Sequence, residues 1–419
     1  MKVTQQGRMA TEAVQNQRAL WWLYGIQLVS MGALEMSGPF WPVYLRSLGQ
    51  LSPKMTSIVG GAVYAGPMLA AMLTTPLWGR LGDRCGHKPM LLRALFALAI
   101  TQLWVAIAGS VTSVLLARLV QGCFAGFIAA AQAYGAGMSA PKQRTFLIAQ
   151  LQTATAIGSF AGPMLGGWLY AYSGFESVNL VATGLCLLCA IAATACLPQQ
   201  RNFLPVQRSG ACMIKKTSKK TARHLLSPLW LGLLLAIVLI QAGKMMPQVF
   251  FALYIDSVLL APAWVTGLCY GITALGLTLS APFWARYFDK QSDVRALGAV
   301  ELITWLCAVT VVLQAVATNL TAFIAVRFLW GIWLGGLLPV FYALLSRASS
   351  DSIQGYIMGL GNSAAKAGAL LGLGCGTAAI AWCGLTAGFW FVAVMYLFAA
   401  LGIRVLRFYF LPNTMDVLH

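Results

Sequence analysis

PLWGRLGDRCGHKPML, Pro76–Leu91, is a short charged run set between two long apolar segments. Gly79, Gly82 and Gly86 permit a tight bend, and Arg80, Asp83, Arg84 and Lys88 put four charges into it. In a chain otherwise poor in charge, such a run marks a place where the polypeptide leaves a bilayer on its cytoplasmic side and turns back.

The composition supports that setting. Of 419 residues, 59% are hydrophobic and 9% charged, whereas a soluble domain carries about 25% charged residues. A helix needs ~20 apolar residues to cross the hydrocarbon core. Twelve segments of that kind are predicted, at 19–45, 53–78, 89–109, 113–139, 144–172, 177–197, 229–255, 263–285, 296–316, 320–346, 354–381 and 385–410.

Lys and Arg collect in cytoplasmic loops. With the amino terminus inside, all but six of the 28 Lys and Arg residues fall in cytoplasmic segments or at their helix ends. Arg46 and Lys54 lie outside, and Arg118, Lys244, Arg327 and Lys366 fall within spans. Both termini are therefore expected in the cytoplasm. The net charge of +18 follows from topology and anionic lipid, with no nucleic-acid partner. The polar lead-in runs into an apolar stretch too long for a signal-peptide core, so the first span is expected to stay uncleaved. Cys186 and Cys189 form a CxxC inside an apolar helix, and His87, His224 and His419 are peripheral. No metal and no cofactor are expected.

Residues 198–227 interrupt the apolar pattern with Pro, Gln, Ser and a series of basic residues. They read as a basic cytoplasmic linker between two six-helix halves, 1–197 and 228–419. TPLWGRLGDR at Thr75–Arg84 recurs as APFWARYFDK at Ala281–Lys290, and RLVQG at Arg118 recurs as RFLWG at Arg327, at nearly constant offset. Equal halves of this kind imply a parallel repeat with substrate bound between them near mid-membrane.

Gly79, Leu81, Asp83, Arg84, Gly86 and Lys88 resemble the G-x-L-x-D-R-x-G-x-K signature of the major facilitator superfamily, with His87 where that family usually has Arg. The resemblance implies an all-α membrane fold of twelve helices in two pseudo-symmetric bundles. It also gives the loop a gating role, Asp83 holding the halves together on the cytoplasmic side. GSFAGPMLGG resembles the GPxxGG motif of the antiporter branches, which assigns Gly158, Gly162, Pro163, Gly166 and Gly167 to closure of the external side. RLVQG resembles the R-x-x-Q-G motif of proton antiporters, where the Arg, here Arg118, is implicated in proton transfer.

A charge at the bilayer centre costs about 2.5–3.5 kcal/mol on insertion scales, so buried charges are usually functional. Glu35 is the only carboxylate deep in a span, just before Gly38, Pro39 and Pro42. It is the expected proton-coupling group, together with Arg118. Gln241, Lys244 and Gln248 fall on one face at i, i+3, i+7 spacing, and Asn362 and Lys366 lie one turn apart, which makes these five candidate substrate contacts. Trp41, Tyr44, Phe250 and Tyr254 are candidate aromatic walls. Arg327 either snorkels to the external interface or faces inward. Glu301 is expected to pair with Arg286 or Arg295.

Four cations against one deep acid favour an anionic or zwitterionic solute over a cationic drug. The expected function is proton-driven export of a small organic metabolite such as a carboxylate siderophore, by a monomer in the bacterial inner membrane, with no enzymatic activity. Multidrug efflux, proton-coupled uptake of an organic anion and a non-transporting membrane sensor remain the alternatives.

Overall fold

The computed structural model describes residues 2–49, 52–138, 144–199, 228–347 and 354–415, and every regular element among them is helical. In chain order these are α1 (Lys2–Met36), α2 (Trp41–Ser47), α3 (Pro53–Cys85), α4 (His87–Ala106), α5 (Val111–Cys123), α6 (Phe127–Met138) and α7 (Arg144–Cys196). There follow α8 (Pro228–Met245), α9 (Phe251–Ser257), α10 (Ala263–Asp289), α11 (Asp293–Val316), α12 (Leu320–Arg347), α13 (Gln354–Cys383) and α14 (Gly388–Met415). The predicted linker falls almost wholly on residues 200–227, outside the described residues.

Ten stretches of the described residues are long and apolar enough to cross a membrane. One of them, Gln150–Cys196, turns at Gly174, whose φ of 76° is a left-handed value suited to glycine, so it makes two passes. α1 is not among them, its apolarity diluted by Gln27, Ser30 and Glu35. Eleven of the twelve predicted spans thus fall on such stretches, and the first falls on α1. Large apolar side chains such as Leu73, Ile100, Leu188 and Phe398 are exposed on these helices, a surface suited to lipid.

Two corrections to the predicted elements concern glycine. α3 runs unbroken through Gly79 and Gly82 to Cys85, and only Gly86, with φ 98°, makes the bend. The predicted span 113–139 is present as Val111–Met138, but its helix is interrupted, α5 and α6 being separated at Gly126 (φ 118°). Glycine permits a bend without requiring one, and the hydrogen-bonded helix prevails wherever lipid offers no other partner for the backbone.

Contacts divide the chain into two compact units. Unit 1 takes the residues up to Gln50, Ala62–Val206 and Pro262–Gly271; unit 2 takes Leu51–Gly61, Gln207–Ala261 and Ile272–His419. In unit 1, α1 lies along the first arm of α7, and α4 packs against the second arm. Leu23, Leu91, Leu95, Tyr134 and Ala190 form one core there, and Ala33, Met36, Leu98, Val178 and Cys186 another. In unit 2, α8 lies along α13, and α11 packs against α14 and α12.

Each unit is sewn together by a glycine seam. A Cβ on Gly158, Gly162 or Gly166 would sit 2.5, 2.5 or 2.0 Å from the carbonyl oxygens of Leu28, Gly32 and Met36. In unit 2, a Cβ on Gly368, Gly372 or Gly376 would sit 2.3, 2.2 or 2.8 Å from those of Val238, Ala242 and Met246. Helices associate in lipid largely by close packing, and only glycine admits this approach.

Smaller contacts repeat as well. Trp78 Nε1 donates to the Cys123 carbonyl at 2.7 Å, and Trp284 Nε1 to the Ile332 carbonyl at 2.9 Å. Gly122 lies against the Pro67 backbone as Gly331 does against Thr273. The sequence repeat is therefore a repeat of backbone contacts.

Candidate functional site

α1 in unit 1 and α8 in unit 2 end in corresponding breaks. After Met36 the chain tightens into a 3-10 turn, Gly38–Phe40, before resuming as α2; after Met245 it tightens into Met246–Val249 before α9. Pro39, Pro42 and Pro247 lie at the starts of these pieces, where a missing N–H and a fixed φ end the preceding helix. Both breaks are flanked by an ionisable residue, Glu35 in unit 1 and Lys244 in unit 2.

Glu35 is half-buried and makes no hydrogen bond or ion pair among the described residues. One carboxylate oxygen lies 3.1 Å from where a Cβ on Gly38 would stand. Arg118 and Tyr64 are within electrostatic reach of it. Arg118, on α5, donates from Nε to the Val63 carbonyl at 3.2 Å, binds the Gln121 side-chain oxygen, and lies over the Trp41 ring at 4.8 Å. Tyr64, on α3, donates its hydroxyl to the Gly38 carbonyl at 2.6 Å. A carboxylate with cationic and phenolic neighbours but no direct partner can exchange a proton without first breaking an ion pair.

Unit 2 repeats the scaffold with different chemistry. Arg327 donates to the Gln314 side-chain oxygen at 3.1 Å and lies over Phe251 at 4.0 Å and Trp330 at 4.7 Å. Phe251 begins α9 as Trp41 begins α2. Arg327 is 2% exposed, so it faces inward; snorkelling is ruled out. Lys244 is half-buried with no hydrogen bond or ion pair among the described residues. One turn back, the Gln241 side-chain oxygen is buried without a hydrogen-bond partner among those residues. Gln248 lies inside the 3-10 turn, so the seven-residue spacing from Gln241 does not place it on one continuous helical face.

The remaining predicted residues are dispersed. Asn362 is exposed and Lys366 half-buried on α13. Trp41, Tyr44, Phe250 and Tyr254 are buried in ring clusters: Tyr44 stacks on Phe175 at 4.0 Å between ring centres, Trp41 meets Phe175 at 5.0 Å, and Phe250 and Tyr254 meet Phe389 at 5.2 and 4.9 Å. Gly158, Gly162 and Gly166 are the unit 1 seam, while the Pro163 carbonyl and Gly167 face Gly267 of α10. In the charged run, Arg80 and Arg84 are exposed, and the Asp83 side chain lies outside the described residues.

Lys88 donates to the Thr194 carbonyl at 2.9 Å and to that of Leu197, capping the end of α7. Arg93, which sequence reasoning missed, does the same for α5: it donates to the Phe124 and Ala125 carbonyls at 3.3 and 3.1 Å and lies over Trp78 at 3.7 Å. A cation suits the negative end of a helix dipole. Glu301 meets Arg407 at 3.4 Å and Arg404 at 4.0 Å, not Arg286 or Arg295, because α14 runs alongside α11.

Isolated charges inside apolar helices, on two copies of one helical plan, are features of a membrane transporter. The sequence profile of the Major Facilitator Superfamily matches residues 23–318 and 233–416, and the chain belongs to that family. It is an integral membrane transporter, not an enzyme, and proteins of this family bind small organic solutes within the membrane.

The staphyloferrin B transporter of Staphylococcus aureus (strain NCTC 8325 / PS 47) is 26% identical over 366 residues, covering 85% of this chain and 84% of that protein. The multidrug resistance protein MdtG of Salmonella schwarzengrund (strain CVM19633) is 27% identical over 374 residues, covering 88% and 90%. Among solved structures, a bacterial homologue of the human lysosomal transporter Spinster, inward-facing and unoccupied, matches with a TM-score of 0.76. Its identity is 13%, over 95% of this chain and 98% of that one, a likeness of fold.

Proposed function

We propose that the protein is a proton-coupled antiporter of the bacterial inner membrane that exports a small anionic or zwitterionic metabolite of the carboxylate siderophore class. The observation that carries this is Glu35: half-buried, without an ion pair or hydrogen bond among the described residues, and within electrostatic reach of Arg118. An unpaired carboxylate inside a membrane helix is costly to keep charged, which is how a proton carrier gains its reversibility. Lys244 supplies the complementary feature, an unpaired cation at the equivalent break, suited to an anionic group of the cargo.

In the proposed cycle the solute enters from the cytoplasm and is held by Lys244. It leaves outside as Glu35 takes a proton, and return of the transporter delivers that proton inward. A siderophore fits the charge balance and agrees with the name of the Staphylococcus relative. Broad drug efflux is the second reading, favoured by MdtG at similar identity.

The test uses purified protein in liposomes with a trapped pH dye, an imposed proton gradient, and citrate, betaine and ethidium as anionic, zwitterionic and cationic probes. Proton flux is expected with citrate or betaine, and Glu35→Gln is expected to abolish gradient-driven transport while sparing exchange of solute. Uphill transport by Glu35→Gln would defeat the coupling assignment, and flux with ethidium alone would return the protein to drug efflux.

A further inference from the structure

Tyr64 is the member of the unit 1 cluster that the function so far leaves unused. Its hydroxyl donates 2.6 Å to the Gly38 carbonyl, across a sequence separation of 26 residues, so α3 is fastened to the 3-10 turn of the first helix. The preceding residue, Val63, accepts the 3.2 Å bond from Arg118 Nε. Two successive residues of α3 are therefore tied to different elements, one to α5 and one to the break beside Glu35.

Gly38 stands at the other end of that link: an oxygen of Glu35 lies 3.1 Å from its would-be Cβ position, so the carboxylate rests against the residue whose carbonyl Tyr64 holds. The ionisable groups facing Tyr64 come from three elements: Glu35 on α1, Arg118 on α5 and Tyr270 on α10. Tyr270 occupies in α10 the place that Tyr64 occupies in α3, offset by the same interval as Pro76 and Pro282, and it belongs to unit 1 with the other three.

We propose that Tyr64 is a positioning residue that ties the charge state of Glu35 to α3, the helix that ends in the charged run at Arg80–Arg84. Charged Glu35 holds Arg118 by attraction, and Arg118 holds Val63; Tyr64 keeps that stretch of helix on the turn beside Glu35. When Glu35 is neutral, Arg118 is released from one side, and α3 keeps only the tie through Tyr64. The link rests on Glu35 changing charge during transport, as proposed above.

A double-mutant cycle read by amide hydrogen exchange tests it without any transported solute. Full-length wild type, Glu35→Gln, Tyr64→Phe and the double variant are compared in detergent at one pH, following peptides that cover Ala62–Met72. Phenylalanine keeps the ring and removes only the donor, and unchanged exchange across α4 confirms that each variant is folded. Glu35→Gln alone is expected to speed exchange in Ala62–Met72 by about fivefold, the scale of one hydrogen bond. On top of Tyr64→Phe, where the Arg118 bond to Val63 is the tie left to α3, it is expected to speed exchange by more than about tenfold, because interacting residues are not additive.

An equal factor in both backgrounds, or no change on Glu35→Gln alone, overturns the link. Uphill export retained by Glu35→Gln sinks the proton-coupling assignment while leaving a non-additive cycle standing, so the two failures are told apart.

Discussion

Gly162→Ala tests the seam that carries Glu35. The added methyl would stand 2.5 Å from the Gly32 carbonyl oxygen and 3.1 Å from the Glu35 Cβ. Cβ contacts under 3.0 Å are essentially never seen, so α1 must retreat from α7 by about half an ångström, and both partners at the contact are backbone or stiff. Overpacking of this kind costs about 1–3 kcal/mol. Gly184→Ala, in the second arm of α7, is the matched control: nothing lies within 4 Å of its would-be Cβ, and alanine there is expected to gain about 0.4–1 kcal/mol. Apparent melting of the two variants in one detergent at one scan rate should differ by several degrees, Gly162→Ala the lower. Gradient-driven transport should fall in Gly162→Ala only, because the displaced helix takes Glu35 with it. Melting of Gly162→Ala at or above Gly184→Ala would refute the close approach of the two backbones.

Other substitutions separate charge from scaffold. Lys244→Gln should slow transport of anionic probes at least about tenfold more than of uncharged ones, on the scale of a lost charge-assisted hydrogen bond, and equal losses in proteoliposome flux would remove Lys244 from substrate recognition. Lys88→Gln removes the cation that caps α7 at Thr194 and Leu197, worth about 0.3–1 kcal/mol, and should show as faster amide exchange confined to the last turn of α7. Glu301→Gln should change apparent melting very little, because Arg404 and Arg407 are about half exposed and such pairs contribute under about 1 kcal/mol. A large loss there would mean that the pair is shielded from water by more than its own surroundings.

The spans and the repeat were legible because both are written in long-range composition: apolar runs of fixed length, and TPLWGR answered by APFWAR. Glu35, Lys244, Arg118 and Arg327 were legible because a charge in such a run has no ordinary reason to be there. Tyr64 was not. In GAVYAGPML it reads as one more aromatic in a helix, and only folding brings its hydroxyl to Gly38. Gln248 went astray because a period of 3.6 residues was carried across Pro247, where the chain changes to a tighter turn. The four aromatics expected to line a substrate path are buried instead, their side chains meeting Phe175 and Phe389, partners far along the chain. Arg93 carries no mark in sequence, since the carbonyls it caps become unsatisfied only because α5 ends at Cys123.

The two glycine seams touch their neighbours mainly through main-chain atoms. Glycines on α7 and α13 rest on carbonyl oxygens four residues apart along α1 and α8, and a carbonyl oxygen is the same in every amino acid. Such a joint recognises a helix as a helix and is largely blind to what that helix carries on its other faces. The residue beside one break can therefore be an acid and its counterpart a base while both joints keep the same kind of backbone contact. The opposite charges of Glu35 and Lys244 are, in that sense, independent of the joints that hold their helices.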